Sequence, residues 1–152
     1  MQTVGAYLAA LLGVVSAAEA AVLYGVALSR RRAGAALPAR TKDSAERTKI
    51  ERGKASARWL RKNTWYAWVD ILAGIALAAA ALAPAVAGGP TAYLGSLFVL
   101  LVTIGMRTID YVARRADTFC VTPMLFGVNV VKLGVAVLLL FTFLWTVTGT
   151  PS

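Results

Sequence analysis

The chain has 152 residues, 59% of them hydrophobic and only 15% charged, with sixteen Lys and Arg against seven Asp and Glu and no histidine. That is too apolar for an ordinary soluble domain, which spreads charge over its whole surface. Without histidine, and with Cys120 as the sole cysteine, the usual haem, copper, zinc and non-haem iron sets are excluded, as are thiol pairs and an internal disulfide. No cofactor and no metal is therefore expected.

A helix needs about twenty apolar residues to cross roughly 30 Å of hydrocarbon. Four stretches meet that demand, at 4–28, 64–86, 93–113 and 124–148, and they predict an all-α, four-helix transmembrane bundle filling 1–152 as one integral membrane domain.

The first stretch carries a small residue at every fourth position: Gly5, Ala9, Gly13, Ala17, Ala21 and Gly25. Such spacing lets helix backbones approach closely in lipid. Small residues around Ala18-Glu19-Ala20 resemble a signal-peptide cut, but no basic segment precedes the run and it is longer than a signal core, so a retained span is expected.

The connection 29–63 is strongly basic: twelve of the sixteen Lys and Arg lie between Arg30 and Lys62. It opens on Arg30-Arg31-Arg32 and a flexible Ala/Gly/Pro stretch to Pro38, then reads as a helix from about Asp43. Asp43 and Glu46 have capping-box-like spacing, Asp43/Arg47 and Glu51/Lys54 support the helix, and Gly53 weakens it. Arg30, Arg31, Arg32, Arg40, Lys42, Arg47, Lys49, Arg58, Arg61 and Lys62 are the candidates for contact with anionic lipid or a partner. An anionic leaflet suits them best, each cation contributing about 1 kcal/mol near the surface. An acidic protein surface is an alternative, and nucleic acid is unlikely because no recognition motif or aromatic interleaving accompanies the charge.

The second span repeats small residues at Gly74 and Ala78, the fourth at Gly127 and Gly134. Ala87-Gly88-Gly89-Pro90-Thr91 breaks the chain between the second and third spans, and 114–123 joins the third to the fourth. Because Lys and Arg resist translocation, the loops agree on one arrangement: N-terminus out, long loop cytoplasmic, Gly-Gly-Pro turn out, third loop in, C-terminus out. Aromatics at the expected interfaces fit it, with Tyr24, Trp59, Trp65, Tyr66, Trp68 and Tyr111 at inner ends and Tyr7, Tyr93 and Trp145 at outer ones.

Every span holds an ionisable residue: Glu19, Asp70, Arg107 with Asp110, and Lys132. A charge in hydrocarbon costs at least about 2.5–3.5 kcal/mol on insertion scales, so such groups are usually paired. Their depths predict one inward-facing polar cluster of Glu19, Asp70, Arg107, Asp110, Asn129 and Lys132. Glu19 and Asp70 would supply acids for Lys132 and Arg107, while Arg107, Asp110 and Arg114 share a helix face.

The layout resembles the membrane-associated proteins of eicosanoid and glutathione metabolism. Leu28-Ser29-Arg30-Arg31-Arg32-Ala33 is similar to that family's basic exit from its first helix. Residues 58–70, with Asn63, are similar to its polar second-helix entry, and Arg107-Thr-Ile-Asp-Tyr111-Val-Ala-Arg114 to the end of its third. The resemblance implies a trimeric, glutathione-dependent membrane enzyme with Arg30, Arg31, Asn63, Tyr111 and Arg114 facing glutathione. The chain departs from the family at its Asn-x-x-Glu pair, where Tyr66 stands three after Asn63, at its histidines, and in the longer loop.

Four functions follow as expectations. A non-catalytic subunit or scaffold of a membrane complex leads, with self-association or other membrane subunits as partners. An oligomeric ion or solute transporter would use Glu19, Asp70 and Lys132. The glutathione-type enzyme is third, and a membrane-insertion factor fourth, though the coiled coil and Met-rich groove of that class are not evident in the sequence.

Overall fold

The computed structural model of the chain describes residues 2–38, 41–113 and 123–149, with side chains at all of these except 2, 3, 110, 111, 113 and 123–125. The described residues form four helices, α1 (Gln2–Ala35), α2 (Ser44–Leu82), α3 (Gly89–Ala113) and α4 (Pro123–Thr148). Each contains a stretch long and apolar enough to span a membrane. They pack in a ring, α1 on α2, α2 on α3, α3 on α4 and α4 back on α1, the last contact being the slightest.

The first two helices outgrow the expected spans. At 1.5 Å per residue, the 34 residues of α1 and 39 of α2 reach about 51 and 58 Å, against about 30 Å of hydrocarbon. Most of the segment expected as a loop is thus helix. Helix α1 runs on past Arg32, into the stretch expected to be flexible, to Ala35, and the described residues 36–38 and 41–43 between α1 and α2 are non-helical.

A seven-residue repeat, small at every position but Leu60, makes this continuous hairpin. On α1 it runs Gly13, Ala20, Ala27, Gly34; on α2 it runs Gly53, Leu60, Ala67, Gly74, Ala81. The two backbones touch at both ends of the seam. A Cβ added to Gly13 would lie 2.3 Å from the Gly74 carbonyl oxygen, and one added to Gly34 would lie 2.9 Å from the Gly53 Cα. That antiparallel register sets Ala20 opposite Ala67 and Ala27 opposite Leu60, all four buried. A heptad seam of this kind is an antiparallel coiled coil. Gly53, expected to weaken its helix, is what lets α2 meet Gly34.

The four-residue ridge expected on α1 is only partly the contact face. Ala9 and Gly13 are buried and Ala17 meets Gly74, but Gly5 and Gly25 have nothing within 4 Å of a Cβ position, and Ala21 is exposed. Four residues turn an α-helix by more than a full circle, so a strict four-residue row drifts off a straight seam, whereas a 3.5-residue spacing stays on it. Gly127 and Gly134 of α4 likewise meet nothing within 4 Å.

Helix ends follow local chemistry. Asp43 caps α2, its carboxylate accepting from the Ala45 N–H at 2.9 Å. Glu46 does not close the expected capping box; it accepts from the Thr41 hydroxyl, whose oxygen in turn accepts from the Asp43 N–H. Glu51 and Lys54 pair at 3.0 Å as the spacing suggested. Pro84 stops α2, because the residue before proline is pushed out of the helical region, and Ala83 sits at φ −135°, ψ 62°. Gly88 and Gly89 then turn the chain at φ 84° and 60°, a conformation that favours glycine.

Candidate functional site

The bundle interior divides along its length. Toward the α2–α3 turn it is apolar, built from Leu12, Leu77, Leu97, Leu100, Ile104 and Leu139 around the small Ala9, Ala73 and Ala136. Toward the basic end it turns polar, with Ser16, Asp70, Thr103, Asn129 and Lys132 all buried.

Each helix contributes one charge to the polar part. Lys132 of α4 donates to Glu19 of α1, and Arg107 of α3 lies 2.6 Å from Asp70 of α2. Both pairs are withdrawn from solvent, with side chains 6% and 10% exposed in the first and 17% and 3% in the second. They share the polar end of the bundle, where Asp70 and Lys132 are both buried. Arg107 and Asp70 form an ion pair rather than an aligned hydrogen bond, because the close Nη2 finds no acceptor in line with its N–H.

Heptad register explains the placement. Asp70 continues the α2 row Ser56, Asn63, Asp70, Leu77, so it faces into the bundle beside the small-residue seam. Glu19 stands next to Ala20, on the shoulder of the seam that looks toward α4. Asn129, one turn from Lys132, is buried with them. Ser16 Oγ, Glu19 Oε1, Asp70 Oδ1 and Asn129 Oδ1 have no hydrogen-bond partner among the described residues, so the region keeps spare acceptor capacity. Thr103 borders Asp70 and donates to the Leu100 carbonyl. Ser16 and Thr103 belong to this polar layer although the charge pattern did not single them out. Their seven- and three-to-four-residue spacing from Ala9 and Arg107 was the available signal.

The remaining candidates are placed as follows. Asp110 lies in α3, but its side chain, like that of Tyr111, is outside the described residues, as are Arg114, Arg40 and Cys120. Arg30, Arg31, Arg32, Lys42, Arg47, Lys49, Arg58, Arg61 and Lys62 are exposed on the hairpin. Asn63 is half-buried along the seam and donates to the Trp59 carbonyl at 3.0 Å. Among the described residues no group of three or more His, Cys, Asp or Glu could hold a metal ion.

Among the described side chains two acids and two bases balance in this layer, so their chemistry is mutual neutralisation across helices. The geometry ties α1 to α4 and α2 to α3 at points where lipid would otherwise meet charge. No protein-family model, curated protein or solved structure matches the chain.

Proposed function

We propose that this chain is a non-catalytic subunit or scaffold of a membrane complex, which holds a basic helical hairpin at the cytoplasmic face. The observation that carries the reading is the pairing of each intramembrane cation with a carboxylate of the same chain. Charges that bind helices together serve assembly, and Glu19, Asp70, Arg107 and Lys132 balance one another. The hairpin's backbone contacts make it stiff enough to present a surface. The orientation rests on the Lys and Arg bias of the connections.

Purification of the full chain in mild detergent, followed by cross-linking, tests this. Stoichiometric co-purifying membrane proteins are expected, with cross-links from the hairpin. Uptake of an ion or solute by proteoliposomes holding the chain alone, abolished by E19Q, would overturn the reading in favour of transport.

The coiled-coil hairpin favours a second reading, a membrane-insertion factor, in which the arm receives a client and the polar layer admits it. Its mark would be insertion of a single-span client into vesicles that contain this protein, and dependence of that insertion on the hairpin.

A further inference from the structure

An exposed stripe of α2 has an order of its own. Arg58, Arg61, Trp65, Trp68, Leu72 and Ile75 recur at three- and four-residue steps with Lys62 beside Arg61, outside the buried row Leu60, Ala67, Gly74 that meets α1, and all are exposed. Read along the helix, three cations give way to two indoles and then to aliphatic side chains. From Arg61 to Ile75 is a rise of about 21 Å, close to half of a 40–45 Å bilayer with its headgroups. The chemistry of the stripe follows that of one phospholipid molecule in depth: phosphate, glycerol interface, acyl chain.

The cations have no intrachain ion-pair partner among the described residues. Residues 55–69 contain no acid. Asp70 is turned inward to Arg107, and Glu51 is engaged by Lys54. By the hairpin register Arg31 and Arg32 of α1 lie at the level of residues 56 and 55, about 3–10 Å toward the tip from the three cations, which adds positive field beside them. Nearer the tip the balance changes, for Asp43, Glu46 and Glu51 all fall there. Trp65 is the most exposed of the three indoles at this end, at 74%, and Trp68 leans on Tyr24 with ring centroids 6.1 Å apart. Indoles at this depth sit where their amphipathic rings prefer the interface.

We propose that this stripe is a seat for an acidic membrane phospholipid, with Arg58, Arg61 and Lys62 on its phosphate-bearing headgroup, Trp65 and Trp68 at the glycerol level, and Leu72 and Ile75 along an acyl chain. The seat depends on α2 crossing the bilayer and holds for either orientation of the chain. It goes beyond the scaffold reading and does not need it.

The test is native mass spectrometry of the full chain released from nanodiscs of equal phosphatidylglycerol and phosphatidylcholine, counting lipid retained per protein. Preferential retention of phosphatidylglycerol is expected. R58Q/R61Q/K62Q lowers that preference at least roughly tenfold, because each cation near the surface contributes about fivefold. The tip variant R47Q/K49Q keeps it. W65A reduces retention about threefold or more with no change in net charge, whereas V131A on α4 does not. Circular dichroism and a single elution peak establish that each variant folds; if the triple variant does not, R61Q is read in its place, with roughly a fivefold fall expected. Equal losses from tip and root variants would overturn the seat in favour of diffuse attraction. So would retention indifferent to headgroup charge, or to Trp65.

Discussion

The α1–α2 hairpin and the α3–α4 pair reach a stable packing by opposite means. In the hairpin, Gly13 meets Gly74 and Gly34 meets Gly53 with no side chain between them, and alanines line most of the interval. Lipid tails are as apolar as a protein core, so no hydrophobic drive gathers helices in the membrane. Close backbone approach replaces it with dense dispersion contact. The second pair lacks such approach: Cβ positions on Gly95, Gly105, Gly127 and Gly134 meet nothing within 4 Å. Here large side chains make the join, among them the stacked Tyr93 and Phe143 rings with centroids 5.6 Å apart, while the two ion pairs fasten α3 and α4 to the hairpin, Arg107 to Asp70 and Lys132 to Glu19. One half of the molecule is zipped by small residues, and the other is pinned to it by charge.

The pin should therefore be the costlier thing to pull. Lys132→Met leaves Glu19 buried without its partner, and breaking a buried pair from one side costs about 3–5 kcal/mol. The expected result is a large fall in thermal stability in detergent, with α4 released first in limited proteolysis. E19Q/K132M removes both charges and should recover most of the loss. Equal stability of the single variant and the wild type would mean that α4 is held by its apolar contacts alone.

The zip should yield less per residue but at defined positions. Gly13→Ala or Gly74→Ala drives a methyl into opposing backbone, at 2.3 and 2.4 Å from a carbonyl oxygen, and overpacking of this kind costs about 1–3 kcal/mol. Gly134→Ala enters open space, and its effect should stay within about 0.5 kcal/mol. Gly34→Ala should loosen the basic arm while sparing the bundle, since its contact lies beyond the apolar spans. Unfolding curves for the four variants give the ranking. If Gly134→Ala proved as harmful as Gly13→Ala, the difference between the two halves would be lost.

Much of this contrast is written in the sequence, in unequal degree. Four apolar runs announce four helices because hydropathy and length need no tertiary knowledge. Glu19, Asp70, Arg107 and Lys132 stand out because charge within such runs is rare. Which acid meets which base is another matter, since it depends on helix register and on the order of helices around the ring. The extent of the hairpin is harder still. Its seam is built from Gly and Ala with Ser56, Asn63 and Asp70 in the second heptad row, so an apolar-residue pattern does not register it. The four-residue ridge from Gly5 to Gly25 was the more visible signal, and it points partly the wrong way because helices that coil about each other select a 3.5-residue spacing. Ser16 and Thr103 were inconspicuous for a related reason, being small polar residues whose importance comes from burial beside Glu19 and Asp70.

The smallest expected effect sits at the far end of the zip. Asp43 holds the first turn of α2 by accepting from the Ala45 N–H, while Glu46 is occupied by Thr41. Replacing an N-cap Asp by Ala costs about 1 kcal/mol. In a helix whose first turn lies well away from the bundle, that cost falls on local fraying and leaves the global transition nearly unmoved. Amide exchange should therefore quicken at residues 45–48 in Asp43→Ala, with exchange near Ala67 unchanged. Asp43→Ser retains a capping oxygen and should protect those amides again. Faster exchange spreading through the Gly34–Gly53 contact would show instead that the cap and the seam form one cooperative unit, and the arm would then depend on its tip as much as on its glycines.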